Sequence, residues 1–185
     1  MKIVSELLSG TFLIEPPIFI DERGDFVKTF HAETFSSLGM AFTPRESFYS
    51  TSRCGVLRGM HFQTPPHAHA KLVYCIRGSA LDVVVDLRKR SPRYGAAASA
   101  VLSERNHQQL FIPLGVAHGF LALEDDTILV YMTTTVHSPS HDLGIRWDSF
   151  GFDWGTEAPT VSARDASLPT LGAFDSPFLS TCVSL

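Results

Sequence analysis

The rhythm of apolar residues constrains this chain more than any other feature. Short runs rich in β-branched and aromatic side chains recur between Gly, Pro and Asp-Ser punctuation: Thr11–Ile14, Val27–Phe30, Phe48–Thr51, Leu72–Ile76, Ala80–Asp86, Ala98–Leu102, Gln109–Ile112, Gly119–Ala122 and Ile128–Thr134. This spacing predicts an all-β sandwich or barrel. Leu81–Asp86 and Thr127–Tyr131 are nearly unbroken apolar runs, as expected of strands buried on both faces, and they are placed at the middle of the barrel. Helical signal is confined to Ala32–Leu38, closed by Gly39 in a capping position, and is read as a satellite element. The stretch Phe152–Leu185 carries Trp154, Pro159, Pro169, Pro177 and several serines. It reads as a loop-rich segment packed over the barrel, with its last residues frayed. The whole, 1–185, is expected to be one domain, since no linker, repeat or low-complexity tract divides it.

A net charge of -4 with 18% charged residues argues against a nucleic-acid partner. The longest apolar runs fall far short of the ~20 residues that span a bilayer, so no membrane partner is expected. The opening MKIVSELLSGTF has no continuous apolar core of a leader, and the chain is expected to act in the cytoplasm. Cys54, Cys75 and Cys182 are odd in number, widely spaced and without a CxxC pattern, and are read as free thiols.

Chemistry concentrates in three histidine-containing segments: Arg58-Gly-Met-His61-Phe-Gln63, His67-Ala-His69-Ala-Lys71, and Pro113-Leu-Gly115-Val-Ala-His118-Gly119. Together they resemble a cupin, whose pattern has HxH, a Glu a few residues on and a closing Gly, then PxGxxH. His67-x-His69, Gly78 and Pro113-x-Gly115-x-x-His118 fit, but the glutamate is replaced by Leu72, Val73 and Tyr74, none of which supplies a carboxylate to a divalent ion. No metal and no cofactor are therefore expected. Two other readings stay open: His67, His69 and His118 as a three-nitrogen metal site, since residues i and i+2 of a strand share a face, or as ordinary strand residues.

The segments ERGDFVKTF (22–30), GVLRGMHFQTPP (55–66), KLVYCIRGSALDVVVDLRKRSPRYG (71–95), FIPLGVAHGF (111–120) and SARDASLPTL (162–171) resemble, in order and over nearly the whole chain, the dTDP-4-dehydrorhamnose 3,5-epimerase family. The resemblance implies a cupin-type jelly roll with a few short helices, without a metal, forming a homodimer and holding a nucleotide-diphospho-4-keto-6-deoxyhexose. It implies that His61 is the general base, Asp165 its carboxylate partner and Tyr131 the general acid on the opposite face of the sugar ring. Lys71 and His118 line the keto-sugar pocket, and Arg23, Phe26, Arg58, Gln63, Glu46 and Phe48 complete the substrate-binding positions.

Elementary chemistry agrees with those roles. Removing a proton next to a ketone makes an enolate, which needs a base titrating near neutrality and a cation or donor at the ketone oxygen. Histidine suits the first task and lysine the second. A buried carboxylate fixes the imidazole tautomer and stabilises the imidazolium, and inversion needs an acid across the ring. Each residue also has a plainer reading: Lys71 as a solvated edge lysine, Tyr131 as a core aromatic, and Arg23 and Arg58 as turn residues rather than diphosphate ligands.

Some positions depart from the family pattern. Glu46 and Phe48 stand where a Gln and an Asn are usual, Val136 replaces an aromatic, and His69 replaces a Gln. An acid at 46 would repel a diphosphate unless it faces a hydroxyl or another base. The alternatives are a single-centre 3- or 5-epimerase acting on a different nucleotide-activated 4-keto sugar, a metal-dependent cupin enzyme, and a non-catalytic sugar-binding cupin.

Overall fold

The structure is a computed structural model that describes residues 1–179; Cys182 and the frayed end read from the sequence lie outside the described residues. Thirteen strands form two facing antiparallel sheets and one separate hairpin. The first sheet has the order β1 (Lys2–Leu8), β2 (Thr11–Glu15), β10 (Gln109–Ile112), β7 (Lys71–Arg77), β12 (Thr127–Thr133) and β5 (Glu46–Ser52). The second has the order β13 (Asp142–Gly144), β6 (Leu57–Gln63), β11 (Val116–Ala122), β8 (Ser79–Asp86) and β9 (Ala97–Ser103). Among the described residues β3 (Ile18–Asp21) and β4 (Gly24–Val27) pair only with each other. The architecture is the all-β sandwich that the sequence rhythm predicts, of the cupin-like kind that the resemblance implies.

Apolar residues on alternate positions of the strands meet in three layers. Val73, Cys75, Leu110, Leu129 and Tyr131 of the first sheet face Val84, Leu102, Val116 and Phe120 of the second. The outer face of the first sheet, with Ile14, Leu72 and Phe111, is covered by Phe35, Met40 and Phe42. Phe35 comes from the short helix α1 (Ala32–Ser37), after which Gly39 takes a positive φ of 76°, a geometry that glycine adopts without a Cβ penalty. The outer face of the second sheet, with Leu57, Phe62, Val83 and Val85, is covered by Trp154 and Phe178 of the last segment. A large apolar side chain fully buried in such a layer contributes about 1.5–3 kcal/mol.

Three expectations need correction. The run Val27–Phe30 is not a strand; β4 ends at Val27, and Phe30 packs on Phe35 and Phe42 instead. The two most apolar runs are not central: β8 and β12 each lie one place in from an edge, while β11 sits in the middle of its sheet and is buried along its whole length. Of these two runs β8 is the one buried on both faces, because Trp154 and Phe178 help to cover the outside of its sheet; β12 alternates between buried and half-buried residues. The sequence reading also lacks β6, whose Arg58-Gly59-Met60-His61 interrupts the apolar rhythm.

Candidate active site

The inner faces of β6 and β11 carry two histidines directly opposite each other, His61 and His118. The Arg58–His61 stretch departs from regular pairing. Gly59 has φ 145°, and a Cβ placed on it would stand 2.6 Å from the Gly119 Cα, so only glycine allows the two strands to approach so closely. The same distortion turns the Gly59 N–H toward Asp165, to whose Oδ2 it donates at 3.1 Å.

Asp165 belongs to the one-turn helix α2 (Ala163–Ala166), whose N-cap Ser162 accepts a hydrogen bond from the Asp165 N–H. The cap aims the carboxylate back at β6, where Oδ1 lies 2.7 Å from His61 Nε2. Burial opposes ionisation of Asp165, but the His61 imidazole and the Gly59 N–H more than offset it and hold the carboxyl below its ordinary range. The His61 side chain keeps 27% of its surface exposed, against 5% for Asp165. The imidazole is thus braced from behind and open in front, as a proton-abstracting base must be.

His118 is built differently. Its Nε2 lies 2.9 and 3.0 Å from the two carboxylate oxygens of Asp82 on β8, and both side chains are buried. Burial pushes the His118 imidazole below its ordinary pKa, and Asp82 only partly restores it. The Lys71 Nζ donates to the His61 carbonyl oxygen at 3.1 Å. Burial lowers the Lys71 ammonium to about 8, against the pull of Asp142 and Asp82.

Tyr131 stands on the facing sheet, its ring edge-on to His118 with centroids 6.0 Å apart. Burial raises its phenol above the ordinary value, keeping it protonated. Across the β5–β12 ladder Phe48 is its direct partner. Arg58 is exposed and held by Ser52 Oγ at 3.0 Å and by the Thr51 carbonyl at 3.1 Å.

The structure thus gathers His61, Asp165, Lys71, His118, Tyr131 and Phe48 through their contacts with one another, while Arg58 reaches from β6 to Ser52 and Thr51 of β5. Glu46 lies at the Lys71 end of β5, its Oε2 accepting the His137 N–H at 2.8 Å, so another group of the protein already engages the acid. Gln63 is a buried brace: Oε1 accepts the Ser138 N–H at 2.6 Å, while Nε2 donates to the His67 carbonyl and faces His69 Nδ1 at 3.1 Å. Arg23 and Phe26 are elsewhere, on the β3–β4 hairpin, where Arg23 pairs with Asp21 and the Phe26 ring packs at a tilt against Phe19. Neither makes a hydrogen bond, ion pair or ring contact with the gathered residues.

The three histidines of the alternative metal site do not converge. His118 is taken by Asp82, His67 packs on the His141 ring at 4.5 Å, and His69 faces Gln63. Among the described residues no group of three His, Cys, Asp or Glu is placed to hold a metal ion. The sequence reading missed Asp82 as a partner, although a lone carboxylate inside an apolar strand is a signal that something must pair with it. It also missed Asp142, held at 2.9 Å by Arg164 and at 3.2 Å by His137, for which the sequence carries no comparable mark.

Known proteins resemble this chain over most of its length. The family model described as dTDP-4-dehydrorhamnose 3,5-epimerase matches residues 6–173. An enzyme of that name from Salmonella typhimurium is 38% identical, over 92% of this chain and 96% of its own length. One from Methanothermobacter thermautotrophicus is 43% identical over 84% of this chain and 85% of its own. The crystal structure of dTDP-6-deoxy-D-glucose-3,5-epimerase from Legionella pneumophila, in complex with dTDP-4-keto-L-rhamnose, superposes with a TM-score of 0.91 at 33% identity, covering 96% of each chain.

Proposed function

The chain belongs to the dTDP-4-dehydrorhamnose 3,5-epimerase family, and from that premise we propose that it epimerises a nucleotide-diphospho-4-keto-6-deoxyhexose of the dTDP type at C3, C5 or both, in deoxysugar biosynthesis. It is an isomerase-class enzyme. The observation that carries the reading is the placement of His61, braced by Asp165, on one sheet and a protonated Tyr131 on the other, with Lys71 of the Tyr131 sheet reaching across to the His61 carbonyl.

The steps follow from these positions. His61, its Nε2 held against Asp165, presents its Nδ1 to the C–H beside the ketone and takes the proton, and the ionised Asp165 stabilises the imidazolium that results. The electron pair moves onto the ketone oxygen, where the Lys71 ammonium, in a low-dielectric setting, compensates the charge. Tyr131 returns a proton to the same carbon from the opposite face, which inverts the centre. Arg58, already oriented by Ser52 and Thr51, offers a guanidinium fork for the diphosphate.

We further propose that the chain works as a homodimer and as a single domain over 1–185. The β3–β4 hairpin supports the first point: Phe19, Ile20 and Phe26 are exposed, and a lone two-stranded hairpin is marginal in water. A second copy would cover them and bring Arg23 and Phe26 into use. Light scattering at micromolar concentration tests this, and a monomer mass would refute it. A cytoplasmic setting is part of the proposal, since free thiols at Cys54 and Cys75 suit a reducing compartment.

The activity itself is tested by incubating the enzyme with dTDP-4-keto-6-deoxyglucose in D₂O and following NMR signals. Deuterium should enter at C3, C5 or both, with epimer formed at the labelled centre. No incorporation with this or another nucleotide-linked 4-keto sugar would overturn the reading.

A further inference from the structure

We propose that Phe48 is a positioning residue for Tyr131, holding the phenol in the orientation from which it reprotonates the enolate. The proposal rests on the assignment of Tyr131 as the acid. Phe48 and Tyr131 are direct cross-strand partners on β5 and β12, and their rings stack with centroids 4.8 Å apart and planes 14° from parallel. His118 approaches the Tyr131 ring edge-on, at 69°, so the phenol is clasped between one flat face and one edge. Its hydroxyl is held far less well. Among the described residues it makes a single hydrogen-bonding contact, to Ser50 Oγ at 3.4 Å, at the long limit for an O–H···O bond. Ring packing rather than hydrogen bonding therefore sets where the acidic proton points.

The Phe48 ring has no comparable job in the core. It sits on an edge strand and is 47% exposed, and its one close aromatic neighbour among the described residues is Tyr131. Aromatic faces constrain each other's planes in a way that an aliphatic side chain of similar bulk does not. Inversion depends on delivering a proton to one carbon from one face, where a displacement of about 1 Å can cost a hundredfold. Abstraction by His61 makes no such demand on Tyr131. Loss of the Phe48 ring should therefore slow inversion while leaving solvent exchange running. The same ring screens the phenol from water, and burial is the largest cause of its raised pKa.

The test compares Phe48→Leu, Phe48→Met, Phe48→Tyr and Tyr131→Phe with wild type, following exchange and inversion in D₂O. Circular dichroism checks folding, and a second arm titrates tyrosinate absorbance. In Phe48→Leu and Phe48→Met inversion should fall about tenfold or more relative to exchange, with exchange within about twofold of wild type. The Tyr131 phenol, isolated by difference from Tyr131→Phe, should titrate closer to its ordinary value. Phe48→Tyr, which keeps the stacked ring, should hold the ratio of inversion to exchange at its wild-type value. A raised KM with an unchanged ratio of inversion to exchange would show that Phe48 touches substrate directly, and would overturn the proposal. If Tyr131→Phe itself leaves the ratio unchanged, the acid assignment has failed and takes the Phe48 proposal with it. If Tyr131→Phe separates the two signals and neither Phe48→Leu nor Phe48→Met does, only the positioning role is refuted.

Discussion

His61 and His118 face each other across β6 and β11, and each has a carboxylate at hydrogen-bond distance. In the outer pair the carboxylate comes from outside the sheet, on a one-turn helix more than a hundred residues away in sequence, and the imidazole keeps an open face. In the inner pair both groups sit on adjacent strands and are sealed from solvent. The difference is what water can reach. A histidine that must accept a proton from a ligand needs one braced nitrogen and one that the ligand can reach, and the outer imidazole, 27% exposed against 4% for the inner one, offers both. The inner imidazole is held neutral by burial and acts as a wall against which Tyr131 packs. Two pairs of the same composition thus suit different tasks because their surroundings differ.

Breaking the outer pair should have the largest effect. His61→Ala is expected to abolish both solvent exchange and epimer formation, since no enolate forms, while Asp165→Asn should slow both in parallel by roughly 10²- to 10⁴-fold. NMR in D₂O reads both signals at once. If Asp165→Asn left exchange at the wild-type rate, the brace would be structural only.

Breaking the inner pair should cost stability more than chemistry. Asp82→Asn weakens a buried hydrogen-bonded pair and should destabilise the fold by about 1–3 kcal/mol, seen as a Tm lowered by roughly 2–4 °C per kcal/mol in calorimetry. Exchange should fall much less than in Asp165→Asn. Equal losses in the two variants would erase the distinction between the pairs. The pH dependence has a definite sign. The folded pKa of His118 lies below its ordinary 6.5, so near that pH the unfolded chain binds a proton that the folded chain refuses. Its contribution is complete above pH 6.5 and is lost as pH falls toward the folded value. His69, lowered to about 3 chiefly by burial, acts in the same direction. The Tm should drop on acidification from pH 7 to 5, and less steeply in His118→Asn.

A smaller effect sharpens the role of the cation beside the outer pair. Because burial brings the Lys71 ammonium to about 8, it is charged below that pH and neutral above it. The profile of kcat/KM should therefore decline as pH rises through about 8. In Lys71→Arg, where the charge does not titrate, this limb should vanish even if the overall rate is lower. A limb that persists unchanged would assign it to another group. The smallest expected effect is none: prolonged EDTA treatment should leave epimerisation at its starting rate, and activity lost on chelation and restored by a divalent ion would replace Lys71 with a metal in the mechanism.

Much of the fold is written locally. Strand runs, turn glycines and the helix stop at Gly39 follow from backbone preferences and side-chain alternation, which act over a few residues and need no partner. Several chemical groups are also legible: His61, Lys71, His118 and Asp165 stand in segments that carry the family resemblance, while Tyr131 stands in an apolar strand run and takes its role from that resemblance alone. Which histidine is braced and open, and which is sealed, is a different kind of fact. It depends on Asp165 docking onto the Gly59 N–H and on Asp82 lying across the β8–β11 ladder, contacts between segments far apart in the chain. The same holds for β6, hidden by its Gly and Arg, for the stack of Phe48 on Tyr131, and for the separation of Arg23 and Phe26 from the other candidate residues. Residue type determined which groups could do proton chemistry; only the packing of strands and helix α2 decided which of them water can reach, because exposure belongs to the packed sheets and not to any one of their strands.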